Sequence, residues 1–400
     1  MTDTPGGTGA PLKPLGYQPA LDGVRAVAIA LVVLFHTDRG GHLPVLPGGF
    51  LGVDVFFVLS GFLITSLLLD ERAGTGRIRM RAFWGRRVAR LFPLLWALLA
   101  VNAFAAWVHP IAGLAPPSPL GFLGLLGYVG NWVPALGHGG LFGLEYVWSL
   151  SVEEQFYVVW PLVVAELLAL AAGRRGPERS ERSGSTAGQA STARTPPVSV
   201  AAVALGAAVL VMVLRPTVFA HTFFFFNTLL RADGLLLGAA LAATRHLWQP
   251  RISPALSKLL IAAAALVIVV AVADTGNLDP SLPTWKLPAL EVAVVVLGAA
   301  LVAAPATSIG RLAGSNPLVW LGRRSYAIYL VHLPLFGILE ARLGADRPRL
   351  RAVVEIPAAL LLATWPTCSW SCPPSASCAE SFTPSIARRT TLLPLLSRRW

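Results

Sequence analysis

Runs of near-continuous Leu, Val, Ala and Phe recur almost from end to end of this 400-residue chain, and they constrain its fold more than any other feature. A helix needs about 20 residues at about 1.5 Å each to cross a hydrocarbon core. Runs of about that length read at 21 to 37, 50 to 69, 90 to 108, 147 to 172, 198 to 214, 220 to 244, 257 to 273, 287 to 305, 318 to 339 and 351 to 365. Hydrophobic residues make up 55% of the chain and charged residues only 13%, about half the charge of a soluble domain, which excludes a water-soluble globule. The expected fold is all-α: a polytopic transmembrane helical bundle of about ten spans, multi-pass in the cell membrane with the lipid bilayer around it.

The net charge of +12 comes from 29 Arg and 3 Lys, and in such a chain a basic excess marks cytoplasmic loops before it marks nucleic-acid binding, which is discounted. Arg72, Arg77, Arg79, Arg81, Arg86, Arg87 and Arg90 crowd the stretch from Asp70 to Arg90, and Arg174, Arg175, Arg179, Arg182 and Arg194 that from Gly173 to Pro197. Both stretches face the cytoplasm only if an even number of crossings separates them. The extra apolar stretch 119 to 135, broken by Gly124, Gly127, Gly130 and Pro134, is therefore read as re-entrant or interfacial, with both termini cytoplasmic.

Residues 1 to 20 are polar and Gly/Pro/Thr-rich, with no signal peptide, and read as a disordered cytoplasmic tail. Residues 21 to 365 form the membrane domain, with a flexible basic linker at 173 to 197. From 366 to 400 the apolar pattern gives way to Cys, Ser and Pro. Cys368, Cys372 and Cys378 match no structural zinc spacing, so no metal is expected, and the segment reads as a frameshifted end without function.

Ionisable side chains inside spans cost at least about 2.5 kcal/mol each on insertion scales and so mark candidate sites. Arg25 and His36 are eleven residues apart in the first span, about 16 Å along a helix and about 20° apart around it, on one face. Asp54 enters the second span at the level of His36, where a carboxylate would orient an imidazole for general-base work. Glu153 and Glu154 open the fourth span on the same side; adjacent carboxylates point about 100° apart, so one of them is expected at the site. His332 comes outward on the ninth span, with Tyr329 and Ser325 one and two turns below it. On the cytoplasmic side Arg86, Arg87 and Arg90 stand at the entrance of the third span, suited to topology or to a phosphate-bearing ligand, while Arg231 and Asp233 lie near mid-membrane.

These residues fall in an ordered set: R-x10-H within LDG-x-RA, GVDVFFVLSGFLI around Asp54, RR-x2-R-x-FP around Arg90, GNW at 130 to 132, WSLSVEEQFY around Glu153, R-x-DGLLLGA around Arg231 and SYAIYLVHLP around His332. Over about residues 20 to 340 the chain resembles the membrane-bound acyltransferase family 3, bacterial multi-span proteins that O-acylate surface sugars and some glycosylated natural products. The resemblance implies transfer of an acyl group, commonly acetyl, from acyl-CoA as co-substrate to a hydroxyl of a sugar or glycoside, with no tightly bound cofactor. It implies Arg86, Arg87, Arg90 and Arg231 at the donor, and His36 as general base or acyl carrier with Arg25, Asp54, Glu153, Glu154 and His332 around it. Two features depart from the family: Tyr146 and Val147 replace a polar pair before WSLS, and the usual Arg-Phe-x-Glu-type ending is missing. A proton-coupled transporter or flippase of a glycan is the other class such buried charges serve, separable by dependence on acyl-CoA.

The charge-derived orientation predicts that a cysteine placed between residues 180 and 190, with the native cysteines replaced by serine, is labelled only after cells are permeabilised. Labelling in intact cells would invert every inner and outer assignment.

Overall fold

The computed structural model describes residues 14–37, 46–107, 117–141, 143–173, 198–217, 225–276, 279–344 and 347–364; most of the N-terminal tail and basic linker, and the whole 366–400 tail, lie outside the described residues. Helix α1 is Pro19–Thr37, α2 is Gly52–Thr75 and α3 is Met80–Trp107. Short helices α4 (Pro119–Leu126) and α5 (Trp132–Ala135) precede α6 (Trp148–Gly173) and α7 (Val198–Leu214). Ala232 separates α8 (Thr228–Arg231) from α9 (Asp233–Ala243), and α10 (Arg245–Trp248), α11 (Pro254–Asp274) and α12 (Leu287–Ala303) follow. The chain then forms α13 (Ser308–Ala313), α14 (Asn316–Arg323), α15 (Ser325–Leu343) and α16 (Pro348–Thr364).

Eight helical segments among the described residues are long and apolar enough to cross a membrane. The other two expected spans are shorter. The 220 to 244 run is an interrupted pair whose longer part, α9, has 11 residues, about 16 Å of helix. The last run is the 17-residue α16, tied to α15 by the Arg351 Nη1–Glu340 Oε1 ion pair at 2.7 Å. The 119 to 135 stretch holds no crossing helix, since α4 has only 8 residues. The third span begins ten residues before its apolar run, because polar and basic residues extend α3 back to Met80; Arg86, Arg87 and Arg90 thus lie within the helix, not at its entrance.

Irregular backbone within a membrane bundle survives only where protein satisfies its polar groups. Here a knot of side chains does so. Asn131 Nδ2 donates to the Phe226 carbonyl at 2.8 Å and to Thr228 Oγ1 at 2.9 Å. Gln155 Nε2 donates to Asn131 Oδ1 at 2.8 Å and to the Tyr128 carbonyl at 2.9 Å, while its Oε1 accepts from Thr228 Oγ1 at 2.7 Å. The GNW turn, the start of α8 and the early turns of α6 are thereby locked together.

Every residue of α9 is buried, packed on α2. Gly61 and Gly238 make this crossing: a Cβ on Gly61 would collide with the Leu235 carbonyl oxygen, and one on Gly238 with that of Val58. The close approach brings Arg231 Nη2 to Asp54 Oδ1 at 2.6 Å, with both side chains 1% exposed. A second buried ion pair joins Arg215 to Asp233. Asp54 is thus the counter-ion of Arg231, which corrects its expected place beside His36: its carboxylate is turned to the end of α8.

Removing one partner of a buried ion pair costs about 3–5 kcal/mol. Asp54→Asn should therefore lower the thermal midpoint of the detergent-solubilised protein markedly, and Asp54→Asn with Arg231→Gln should recover part of the loss. Fluorescence-detected size-exclusion after heating measures both.

Candidate active site

Five helices and Tyr128, between α4 and α5, line a cavity of about 150 Å³. Arg25 comes from α1, and Val53, Phe57 and Ser60 from α2. α3 contributes Arg87 and Arg90, α6 contributes Ser149, Glu153, Glu154 and Tyr157, and α15 contributes Ser325, Tyr326 and Tyr329. The cavity therefore gathers both expected carboxylates and two of the three arginines of the third-span cluster. Sequence reasoning had assigned these to opposite faces of the membrane. The length of α3 explains the difference: Arg90 is its eleventh residue, about 15 Å from its start, and so reaches the depth of the opening turns of α6.

Each polar group has a defined setting. Arg25 Nη2 donates to Ser325 Oγ at 3.0 Å, and its Nη1 stands 3.7 Å from Asp22 Oδ1. Glu153 Oε1 accepts from Ser60 at 3.0 Å and its Oε2 from Tyr157 at 3.1 Å. Glu153 and Glu154 both line the cavity, although 100° separates successive helix positions, because the opening extends along two sides of α6. The Arg87 guanidinium carbon lies 4.6 Å from the Phe83 ring centre and 4.3 Å from that of Tyr157, a cation–π clamp that fixes its plane. Arg86 is exposed and Arg231 is buried against Asp54; neither lines the cavity with Arg87 and Arg90.

His36 and His332, 296 positions apart, meet with His36 Nδ1 3.3 Å from His332 Nε2. The sequence placed both on the outer side but paired His36 with a carboxylate; the structure puts a second imidazole there, while Glu153 is engaged by Ser60 and Tyr157. Tautomers follow from the carbonyls, which only accept. His332 Nδ1 is 2.6 Å from the Tyr329 carbonyl and His36 Nδ1 is 2.8 Å from that of Val32, so both Nδ1 atoms carry hydrogen in the neutral rings. His36 Nε2 is then the basic nitrogen of the first ring. His332 Nε2 is then an acceptor 3.3 Å from His36 Nδ1, whose single hydrogen is shared between it and the nearer Val32 carbonyl.

Tyr329 joins the two regions, lining the cavity with its side chain while its carbonyl orients His332. Its hydroxyl donates to the Tyr146 carbonyl at 2.6 Å and receives the Ser149 hydroxyl at 2.7 Å. Tyr146, at the position where the family pattern is broken, donates to the Leu330 carbonyl at 2.6 Å and packs its ring 5.5 Å from that of His332. Tyr146 was noted from sequence only as a departure from the family pattern, and Ser149, Ser60 and Tyr157 were not singled out, since a lone hydroxyl in a span carries no signal of its own. Among the described residues no group of three or more His, Cys, Asp or Glu could hold a metal ion.

A family model described as an acyltransferase domain matches residues 18–369. The chain is 29% identical over 369 residues to the peptidoglycan O-acetyltransferase OatA of Listeria monocytogenes, covering 87% of this chain and 54% of that protein. It is 32% identical over 340 residues to the putative peptidoglycan O-acetyltransferase YrhL of Bacillus subtilis, covering 80% and 48%. A putative O-acetyltransferase of Staphylococcus aureus is 28% identical over 346 residues, covering 82% and 52%. The chain thus spans about half the length of these curated relatives, and no solved structure matches it. With the family model extending across nearly all of the described bundle, this chain belongs to the membrane-bound acyltransferase family 3.

Proposed function

We propose that this protein is a membrane O-acetyltransferase that moves an acetyl group from acetyl-CoA on the cytoplasmic side to a hydroxyl of an envelope glycan outside. The observation that carries the reading is the adjacency of a His36–His332 pair to an arginine- and glutamate-lined cavity, with Tyr329 common to both. Relatives named for peptidoglycan make that glycan the first acceptor to test. Arg90, at the α3 side of the cavity, suits the anionic part of the donor, and Arg25 adds a second cation.

In this reading His36 Nε2 takes the proton of the acceptor hydroxyl as its oxygen attacks the thioester carbonyl. The new C–O bond forms, the C–S bond breaks, and the leaving thiolate receives the proton back from the imidazolium, giving ester and free CoA. The Nδ1–H of that imidazolium is shared by the Val32 carbonyl at 2.8 Å and His332 Nε2 at 3.3 Å, so the two acceptors stabilise the protonated base and His332 does not itself change charge. The carboxylates are left to the cavity.

Radiolabelled acetyl transfer in membrane vesicles, with CoA release followed in parallel, tests the reading. His36→Ala should abolish transfer while the protein remains inserted and abundant. His332→Ala should lower kcat by about 10²-fold or more with little change in KM, as befits loss of a general base's support; a normal kcat would remove His332 from the chemistry.

The cavity also distinguishes the basic residues of α3. Arg90→Ala should raise the apparent KM for acetyl-CoA more than Arg86→Ala does, because Arg86 lies outside the lining. Equal effects would return the cluster to a role in topology alone. Loss of an acetyl increment from surface glycans of a deletion strain, read by mass spectrometry, identifies the acceptor.

A further inference from the structure

Two groups facing the cavity lack what their chemistry requires. Glu154 is only 9% exposed and lines the cavity, yet no side chain or backbone N–H among the described residues donates to its carboxylate. Arg87 Nε is buried and likewise has no hydrogen-bond partner among the described residues. The two do not relieve each other with an ion pair, because Phe83 and Tyr157 clamp the guanidinium while α6 holds the carboxylate. A donor buried without a partner is costly, and the Glu154 carboxylate beside it is open to the cavity, where an occupant can meet both.

Both signs of charge constrain that occupant. A phosphate placed between the two groups would suit Arg87 but would be repelled by Glu154 and the neighbouring Glu153. A neutral group that presents an acceptor to Arg87 and an N–H to Glu154 suits both, and a secondary amide is such a group. We propose that Arg87 and Glu154 form an amide subsite that reads the pantetheine arm of the acyl donor, with the arm's anionic end at Arg90 and its thioester toward Ser149 and Tyr329. This rests on the transferase reading above and adds a basis for donor selection: thioesters borne on an amide-containing arm are favoured over simple thioesters. Coenzyme A and the phosphopantetheine of a carrier protein share this chemistry.

The test uses the full-length protein in detergent with four donors: acetyl-CoA, an acetylated carrier protein, S-acetylpantetheine and the amide-free ethyl thioacetate. Glu154→Leu should lower kcat/KM for S-acetylpantetheine by about 10- to 100-fold, the loss of a charge-assisted hydrogen bond, chiefly through KM, and should lower it much less for ethyl thioacetate. Glu154→Gln, which keeps an acceptor oxygen, should recover part of the loss, and it supplies the same comparison if the Leu variant fails to accumulate. An equal fall for the amide-bearing and amide-free thioesters, or no change in donor KM, would overturn the subsite while leaving the transferase intact. A wild-type protein that consumes no thioester would instead overturn the reading on which the subsite rests. Preference of the wild type for acetyl-CoA or for the carrier protein identifies the source of the arm.

Discussion

The contact between α2 and α9 is the constraint from which much of the bundle follows. Two glycines, Gly61 and Gly238, let the backbones approach, and the approach is what allows Arg231 to reach Asp54 inside the protein. An arginine in that setting is tolerable only with its counter-ion in place, so packing and charge pairing depend on each other. Arg231 ends α8, and α9 begins beyond the interruption at Ala232. The interruption in turn requires a hydrogen-bonded support, which Asn131, Gln155 and Thr228 supply by tying the GNW turn to α6. The cavity is built on the other faces of α2 and α6, and the histidine pair on α1 and α15 beside it.

Within the site, acidic and basic groups are arranged for different tasks than a simple triad would assign. The carboxylates of α6 share their cavity with arginines, and His36, which stands outside the lining, is paired with another imidazole. Tyr146 and Tyr329 complete the arrangement, one packing on the His332 ring and the other orienting it through its carbonyl. The departure from the family pattern at Tyr146 is thus a structural feature of the histidine pocket and not a missing part.

Helix, membrane and motif were legible from the chain because each leaves a local signal. Apolar runs of the required length announce crossing helices, and Arg25, His36, Glu153, Glu154 and His332 stand out since ionisable groups are rare there. The Gly- and Pro-broken stretch at 119 to 135 was legible as a segment without a crossing helix for the same reason. Less was legible where a helix is polar, as in the first turns of α3, or where it is too short to register as a run, as in α8 and α9. Apolar patterning reports burial in lipid, not the continuity of backbone hydrogen bonds.

What the sequence by itself determined, then, is the helical membrane class, the acyltransferase motifs in their order and the set of costly polar residues. Partnership among those residues was decided only by the tertiary structure: Asp54 with Arg231, His36 with His332, Glu153 with Ser60 and Tyr157, and both glutamates in one cavity with Arg87 and Arg90. The physical reason is that sequence gives a residue's depth along its own helix and its angle around it, but pairing also depends on how helices rotate and approach one another. That is fixed by contacts such as Gly61 against Leu235, between residues 174 positions apart in the chain.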